Sequence, residues 1–251
     1  MKILLGLLSF IFKIYVMLLF VLTSIIFFPI LTYTTLRVKY HNLAFKIFTF
    51  WSLTMRILAG WPFKINKTQE LPKGPFIIVA NHSSYSDIFL TPSLLKNHPH
   101  VFLGKSEILS YPIIKYYFMN YNIPVYRGNK EKSAKTLSLA RKKVKKNWSI
   151  VIFPEGGIPD HNRPEMIPFK DGAFRLAKET NTPILPITFV NNYSLFTDPT
   201  DILGSCHPGF SKVVIHPIIE LDEVNEKSVE ELRNKAFDLI NGALNVSRVK
   251  N

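Results

Sequence analysis

IYVMLLFVLTSIIFFPILTYTTL, residues 14 to 36, has no charged side chain and constrains the chain more than any other stretch. Coiled as a helix, a run of this length reaches across a hydrocarbon core about 30 Å thick. A cleaved signal peptide would need a shorter apolar region and a small-residue cleavage site, and the following RVKYHNLAFKIF offers none. Lys2 and Lys13 precede the run and Arg37 and Lys39 follow it, so charge asymmetry sets no orientation. A single span and a re-entrant helix pair both fit. The next stretch, AFKIFTFWSLTMRILAGWPF, mixes aromatics with Lys46 and Arg56 as an interfacial amphipathic helix does, and Pro62 is expected to end it. Residues 1–62 are expected to form a membrane-anchoring helical hairpin, and residues 63–251 an α/β domain that closes with a packing helix.

Charge narrows the class of partner. Lys and Arg number 31 against 18 Asp and Glu, a formal charge of +13, which suits an anionic nucleic acid, lipid surface or acidic protein. Twenty Phe, ten Tyr and three Trp are greasy for a soluble nucleic-acid binder and natural for a basic protein seated on a bilayer, so a membrane partner is expected and nucleic acid is not. Cys206 is the single cysteine and no Cys/His cluster has zinc spacing, which points to neither a disulfide framework nor a structural metal.

After residue 62 the texture changes. FIIVA (76–80), HVFLG (100–104), NIPVY (122–126), SIVIF (149–153), PILPITFV (183–190) and KVVIHPIIEL (212–221) are short apolar runs that read as strands. Segments 86–96, 106–118, 131–147 and 170–180 carry apolar residues at helical spacing. This alternation predicts a mixed, mostly parallel sheet flanked by helices. Ser228 and Glu231 form a capping box ahead of a last helix with Val229, Leu232, Ala236, Leu239 and Ala243 on one face.

Ligands of such sheets sit at the carboxyl ends of strands. FIIVA runs into Asn81-His82, within NHSSYSD, and SIVIF runs into Pro154-Glu155-Gly156-Gly157; HVFLG leads to Lys105, and NIPVY to Arg127-Gly128. Five residues apart on one helix, His82 and Asp87 would point about 140° away from each other. They meet only if His82 lies on the loop and Asp87 in the first turn of the helix. A histidine, two carboxylates and two cations at strand ends suit a general-base reaction on an anionic substrate, and with no G-x-S-x-G a serine-hydrolase elbow has no support.

His82-x4-Asp87, then Arg127-Gly128, then Phe153-Pro154-Glu155-Gly156, then Ile184-Leu185-Pro186-Ile187 resembles the ordered motif set of the glycerolipid acyltransferases, the group that includes lysophosphatidic acid acyltransferase. The resemblance covers roughly residues 70–220, including Pro168-Phe169-Lys170-Asp171-Gly172. It implies that His82 is the general base on an acceptor hydroxyl and Asp87 its orienter, so that the substrate supplies the nucleophile. The co-substrate is an acyl thioester, either acyl-CoA or acyl carrier protein, with no cofactor and no metal. Arg127 with Gly128, and Lys105, would hold the acceptor phosphate; Glu155 and Gly156 would contribute to acceptor binding, and backbone amides near the glycine-rich turn would serve the oxyanion.

One departure stands out. Where the family's glutamate block continues with Thr or Ser and then Arg, this chain has Gly157 and Ile158. A lyso-aminolipid acceptor would use the same base, and a non-catalytic binder of anionic lipid or nucleic acid is the rival from another class. The basic run ARKKVKKNW reads as a solvated helix face with Leu137, Ala140 and Val144 turned inward, and also suits docking of headgroups or acyl carrier protein. The expected location is a bacterial inner membrane with the active site facing the cytoplasm.

Overall fold

Branched apolar runs supply the strands of one sheet, and the computed structural model describes residues 2–110, 112–126, 130–159 and 165–249. The strands are β1 (Phe63–Lys67), β2 (Ile77–Ala80), β3 (His100–Lys105), β4 (Ile123–Val125), β5 (Ser149–Ile152), β6 (Ile184–Phe189) and β7 (Ser211–Ile215), in the spatial order β1-β7-β6-β2-β5-β3-β4. Among the described residues all neighbours pair in parallel except β6 and β7. The mixed, mostly parallel sheet is therefore as the sequence pattern predicts.

The helices are α1 (Lys2–Thr35), α2 (His41–Leu58), α3 (Ser86–Leu94), α4 (Pro112–Tyr121), α5 (Lys130–Val144), α6 (Gly172–Thr180), α7 (Asn192–Leu195), α8 (Leu221–Glu226) and α9 (Val229–Val249). Alternate residues of the central strands enter different cores. Ile77, Val79, Val101, Ile150, Ile152 and Ile184 join Ala140, Phe174 and Ala236 on one side, while Ile78, Ala80, Val151, Leu185 and Ile187 join Leu95, Phe189 and Val213 on the other. Because β2 and β5 lie side by side in parallel at the centre, the turns leaving them are adjacent. That adjacency builds the site.

The first two helices pack antiparallel. Leu31, Trp51 and Met55 form a cluster of their own, Trp51 Nε1 donates to Thr23 Oγ1 at 2.9 Å, and the Tyr15 hydroxyl reaches the Leu58 carbonyl at 3.0 Å. Ala44 and Phe45 of α2 are buried in the larger core beneath the sheet. Lys13 is buried, donating to Thr197 Oγ1 at 2.9 Å and to the carbonyls of Asp201 at 2.5 Å and Asp198 at 3.3 Å. Away from these contacts α1 is apolar and uncovered, with Leu4, Leu8, Ile11, Leu22, Ile25 and Ile26 all more than half exposed. Its apolar stretch, Leu4–Thr35, is long enough to cross a membrane.

Several local expectations change. The end of α2 is set not by Pro62 but by Gly60, at φ 62°: its amide bonds Ile57 O and the Trp61 amide bonds Arg56 O, a Schellman motif that needs a left-handed residue. β1 went unread because an edge strand with Lys64, Asn66 and Lys67 facing solvent has little apolar pattern. KVVIHPIIEL is not one strand, since β7 ends at Ile215 and α8 begins at Leu221. The face of α5 carrying Ala140 and Val144 is buried as expected, yet Lys143 is not simply solvated: it lies over Tyr121 and Trp148 and donates to His41 Nδ1 at 3.0 Å. The capping box forms, with Ser228 N to Glu231 Oε2 at 2.8 Å and Glu231 N to Ser228 Oγ at 3.2 Å.

Candidate active site

Beyond β2 the chain is pinned before it turns. Asn81 exchanges two bonds with the Phe189 backbone at the end of β6, Nδ2 to the carbonyl at 2.9 Å and Oδ1 from the amide at 2.8 Å. The next residue, His82, leaves the sheet on the loop, and Asp87 lies in the first turn of α3. This is the arrangement that lets residues five apart meet. His82 Nδ1 stands 3.1 Å from Asp87 Oδ2, and the imidazole stacks on Phe153, ring centroids 4.2 Å apart at 20°. With Nδ1–H assigned as donor to the carboxylate, Nε2 carries the lone pair and has no hydrogen-bond partner among the described residues.

Asp87 is completely buried and fully committed. Its Oδ2 also accepts the amides of Ser83 and Ser84, each at 2.9 Å, and its Oδ1 accepts Asn192 Nδ2 at 2.8 Å. The carboxylate thus ties the loop before α3 to the first turn of the helix and orients His82 at once. Asn192 is held in turn by Ser211, whose hydroxyl donates to Asn192 Oδ1 at 2.7 Å. Sequence reasoning missed Asn192, and it named Phe153 within Phe153-Pro154-Glu155-Gly156 without its stacking role. Asn192 is 105 residues from Asp87 in the chain and lies in no motif, so no local signal marks it.

Glu155 sits beside this pair because β5 runs next to β2. Its Oε1 accepts the His82 amide at 2.7 Å and its Oε2 the Ile167 amide at 3.2 Å, so the carboxyl braces the His82 turn against the segment entering α6. Burial pushes its pKa up to about 7, against the pull of those two amides. A carboxyl titrating near 7 in the fold and near 4.5 when unfolded contributes stability that is full below about pH 4.5 and lost as pH rises through 7. In Glu155→Gln this titration is absent. The stability of wild type relative to this variant is expected to fall by an order of 3 kcal/mol between about pH 4.5 and pH 8, read from thermal unfolding at a series of pH values. A difference independent of pH would contradict the raised titration.

Gly156 adopts φ 80°, a conformation that favours glycine, and its amide closes the turn on Phe153 O at 3.0 Å. That amide is spent within the turn, so it is not among the amides there that can serve an oxyanion. Lys105 ends β3 as an exposed cation with no ion pair among the described residues, and its amine rests against Gly157, where an added Cβ would come within 2.7 Å of Nζ. Gly157 is thus the residue that gives the lysine room at the glutamate turn. Arg127 and Gly128 lie outside the described residues.

Asn81, His82, Ser83, Glu155, Pro159, Glu165 and Met166 line one narrow cleft. It joins an oriented imidazole with a free nitrogen to a braced glycine turn, the parts of a site that deprotonates a hydroxyl. Among the described residues no cluster of three or more His, Cys, Asp or Glu is arranged to hold a metal ion.

Comparison with known proteins bears on this site. The family model described as Acyltransferase matches residues 62–190. A chloroplastic 1-acyl-sn-glycerol-3-phosphate acyltransferase of Brassica napus is 29% identical over 84% of this chain and 59% of its own length, and the Saccharomyces cerevisiae enzyme of that name is 29% identical over 73% and 60%. A putative 1-acyl-sn-glycerol-3-phosphate acyltransferase of Caenorhabditis elegans is 30% identical over 76% of this chain and 70% of its own length. The chain spans about six-tenths of the length of the first two. The crystal structure of the 1-acyl-sn-glycerophosphate acyltransferase from Thermotoga maritima superposes with a TM-score of 0.74 over 98% of both chains at 20% identity, a match of fold.

Proposed function

Because the chain belongs to the acyltransferase family, we propose that it is a membrane-bound O-acyltransferase that moves a fatty acyl group from an acyl thioester to the free hydroxyl of 1-acylglycerol-3-phosphate, giving phosphatidic acid. The observation that carries this reading is the buried pair His82 and Asp87, with the imidazole Nε2 left unpartnered at the end of the central strand. Nε2 takes the proton of the acceptor hydroxyl while Asp87 holds the ring and stabilises the imidazolium. The hydroxyl oxygen bonds to the thioester carbonyl carbon and the carbonyl electrons move onto oxygen. Collapse re-forms the carbonyl and breaks the C–S bond, and the proton passes from His82 to the departing thiolate.

Lys105, with Arg127 and Gly128, which follow β4 in the sequence, holds the acceptor phosphate. The family's arginine after the glutamate turn is replaced here by Ile158, and Gly157 lets the lysine amine approach that turn instead. Glu155 acts as a positioning residue through its two backbone bonds and, with Gly156, frames the acceptor's place. The donor, acyl-CoA or acyl carrier protein, is a co-substrate, and the basic face of α5 is where an acidic carrier or anionic headgroups would dock. The uncovered face of α1 lies in the bilayer and brings the site to its lipid acceptor, on the cytoplasmic side of an inner membrane where thioesters are made.

Lys105→Ala tests the substrate assignment. Loss of a charge-assisted contact worth about 1.5–3 kcal/mol should raise KM for lysophosphatidate roughly 10- to 100-fold and leave transfer to a phosphate-free lysolipid unchanged. Gly157→Thr, which displaces the amine, should act in the same direction. Unchanged KM in both variants, with phosphate-free lysolipids as the better acceptors, would favour the lyso-aminolipid reading that Ile158 suggests.

A further inference from the structure

Ser83 follows the catalytic histidine directly, is 5% exposed, and its hydroxyl is buried with no hydrogen-bond partner among the described residues. A buried hydroxyl left without a partner is unfavourable, and such an orphan beside an active centre calls for a ligand atom. Ser83 lines the same cleft as His82 and Glu155. Six other donors around the histidine turn are occupied. The amide of His82 serves Glu155, those of Ser83 and Ser84 serve Asp87, Ser84 Oγ serves the Phe196 carbonyl, Asn81 Nδ2 serves the Phe189 carbonyl, and the Gly156 amide serves Phe153. Among the remaining side chains of the cleft, Glu165 as a carboxylate offers acceptors and no donor.

We propose that Ser83 Oγ–H is an oxyanion donor of this site, bonding the carbonyl oxygen of the acyl thioester as it takes up charge. The assignment rests on the acyltransferase reading above and gives Ser83 a role in its chemical step. As the C–O bond to the acceptor forms, the π electrons of the thioester carbonyl settle on oxygen, and the serine proton, retained throughout, stabilises them until the C–S bond breaks. A donor whose bond strengthens with this charge lowers the barrier without tightening ground-state binding.

The test uses the full chain in lipid bilayers, with acyl-CoA and lysophosphatidate as substrates, comparing wild type with Ser83→Ala and Ser83→Thr. In Ser83→Ala, kcat should fall about a hundredfold with KM for the lysolipid within about twofold. The slow hydrolysis of acyl-CoA without acceptor, which passes through the same charged carbonyl oxygen, should fall in parallel. Ser83→Thr, which keeps the hydroxyl, should recover most of the rate. The thermal midpoint of Ser83→Ala should be no lower than wild type, because the hydroxyl removed makes no bond in the fold. An unchanged kcat, an effect confined to KM, or a rate loss that tracks a lowered midpoint would each overturn the assignment. A wild-type protein inactive on every lysolipid would instead remove the acyltransferase reading itself, and this role with it.

Discussion

Replacing His82 by Ala is expected to reduce kcat/KM for acyl transfer by roughly three orders of magnitude, the middle of the range that one general base contributes. In the proposed reading the substrate hydroxyl is the only nucleophile, and the two carboxyls bonded around His82 are committed elsewhere: Asp87 is enclosed by four donors and Glu155 holds two backbone amides. The fold should persist, because the His82 amide still donates to Glu155 and the losses are the ring's stacking on Phe153 and its bond to Asp87 Oδ2, which keeps the amides of Ser83 and Ser84. Transfer rates should therefore collapse while the thermal midpoint moves by only a few degrees. Retention of more than a tenth of wild-type activity would contradict the role of His82 as base.

Asp87→Asn is expected to cost nearly as much, by two routes at once. An amide at this position must direct NH2 toward one set of neighbours. If it faces the amides of Ser83 and Ser84, donor meets donor. Facing Asn192 Nδ2, it meets another, and Asn192 is itself kept in orientation by the Ser211 hydroxyl. Either arrangement leaves a buried donor unpaired, a cost of about 1–3 kcal/mol that should lower the unfolding midpoint. In the first arrangement the imidazole also loses the acceptor that fixes its tautomer, since Oδ2 serves it as well, a change that costs about 10⁴ in kcat in serine proteases. Combined loss of stability and of two to four orders of magnitude in kcat is the expected signature. Full stability with a small change in kcat would mean that Asp87 serves neither function.

The alternation of branched runs with helical periods made the sheet legible, because a strand buried on both faces, such as β2 or β6, has no option but an apolar sequence. β1 escaped for the opposite reason: it is an edge strand, with four of its five residues exposed. The spacing within NHSSYSD allowed one geometry in which His82 and Asp87 touch, and a loop residue followed by a first-turn residue is what the chain adopts. What a local pattern does not carry is the second layer of contacts. Asn192 reaches Asp87, and Phe196 reaches Ser84, only after β6 has been laid beside β2, and an orphan hydroxyl such as that of Ser83 becomes visible only when every neighbour's bonds are known. The same holds for Lys13, whose burial against residues 197 to 201 depends on contacts made 184 positions away.

The most direct test is acyl transfer by the purified full chain in bilayers, from acyl-CoA and from acyl carrier protein, to a panel of lysolipids with and without a terminal phosphate. The expected result is phosphatidic acid formed from lysophosphatidate with at least one donor, at a rate well above that for phosphate-free acceptors. Transfer to no lysolipid from either donor, together with salt-sensitive binding to nucleic acid, would contradict it.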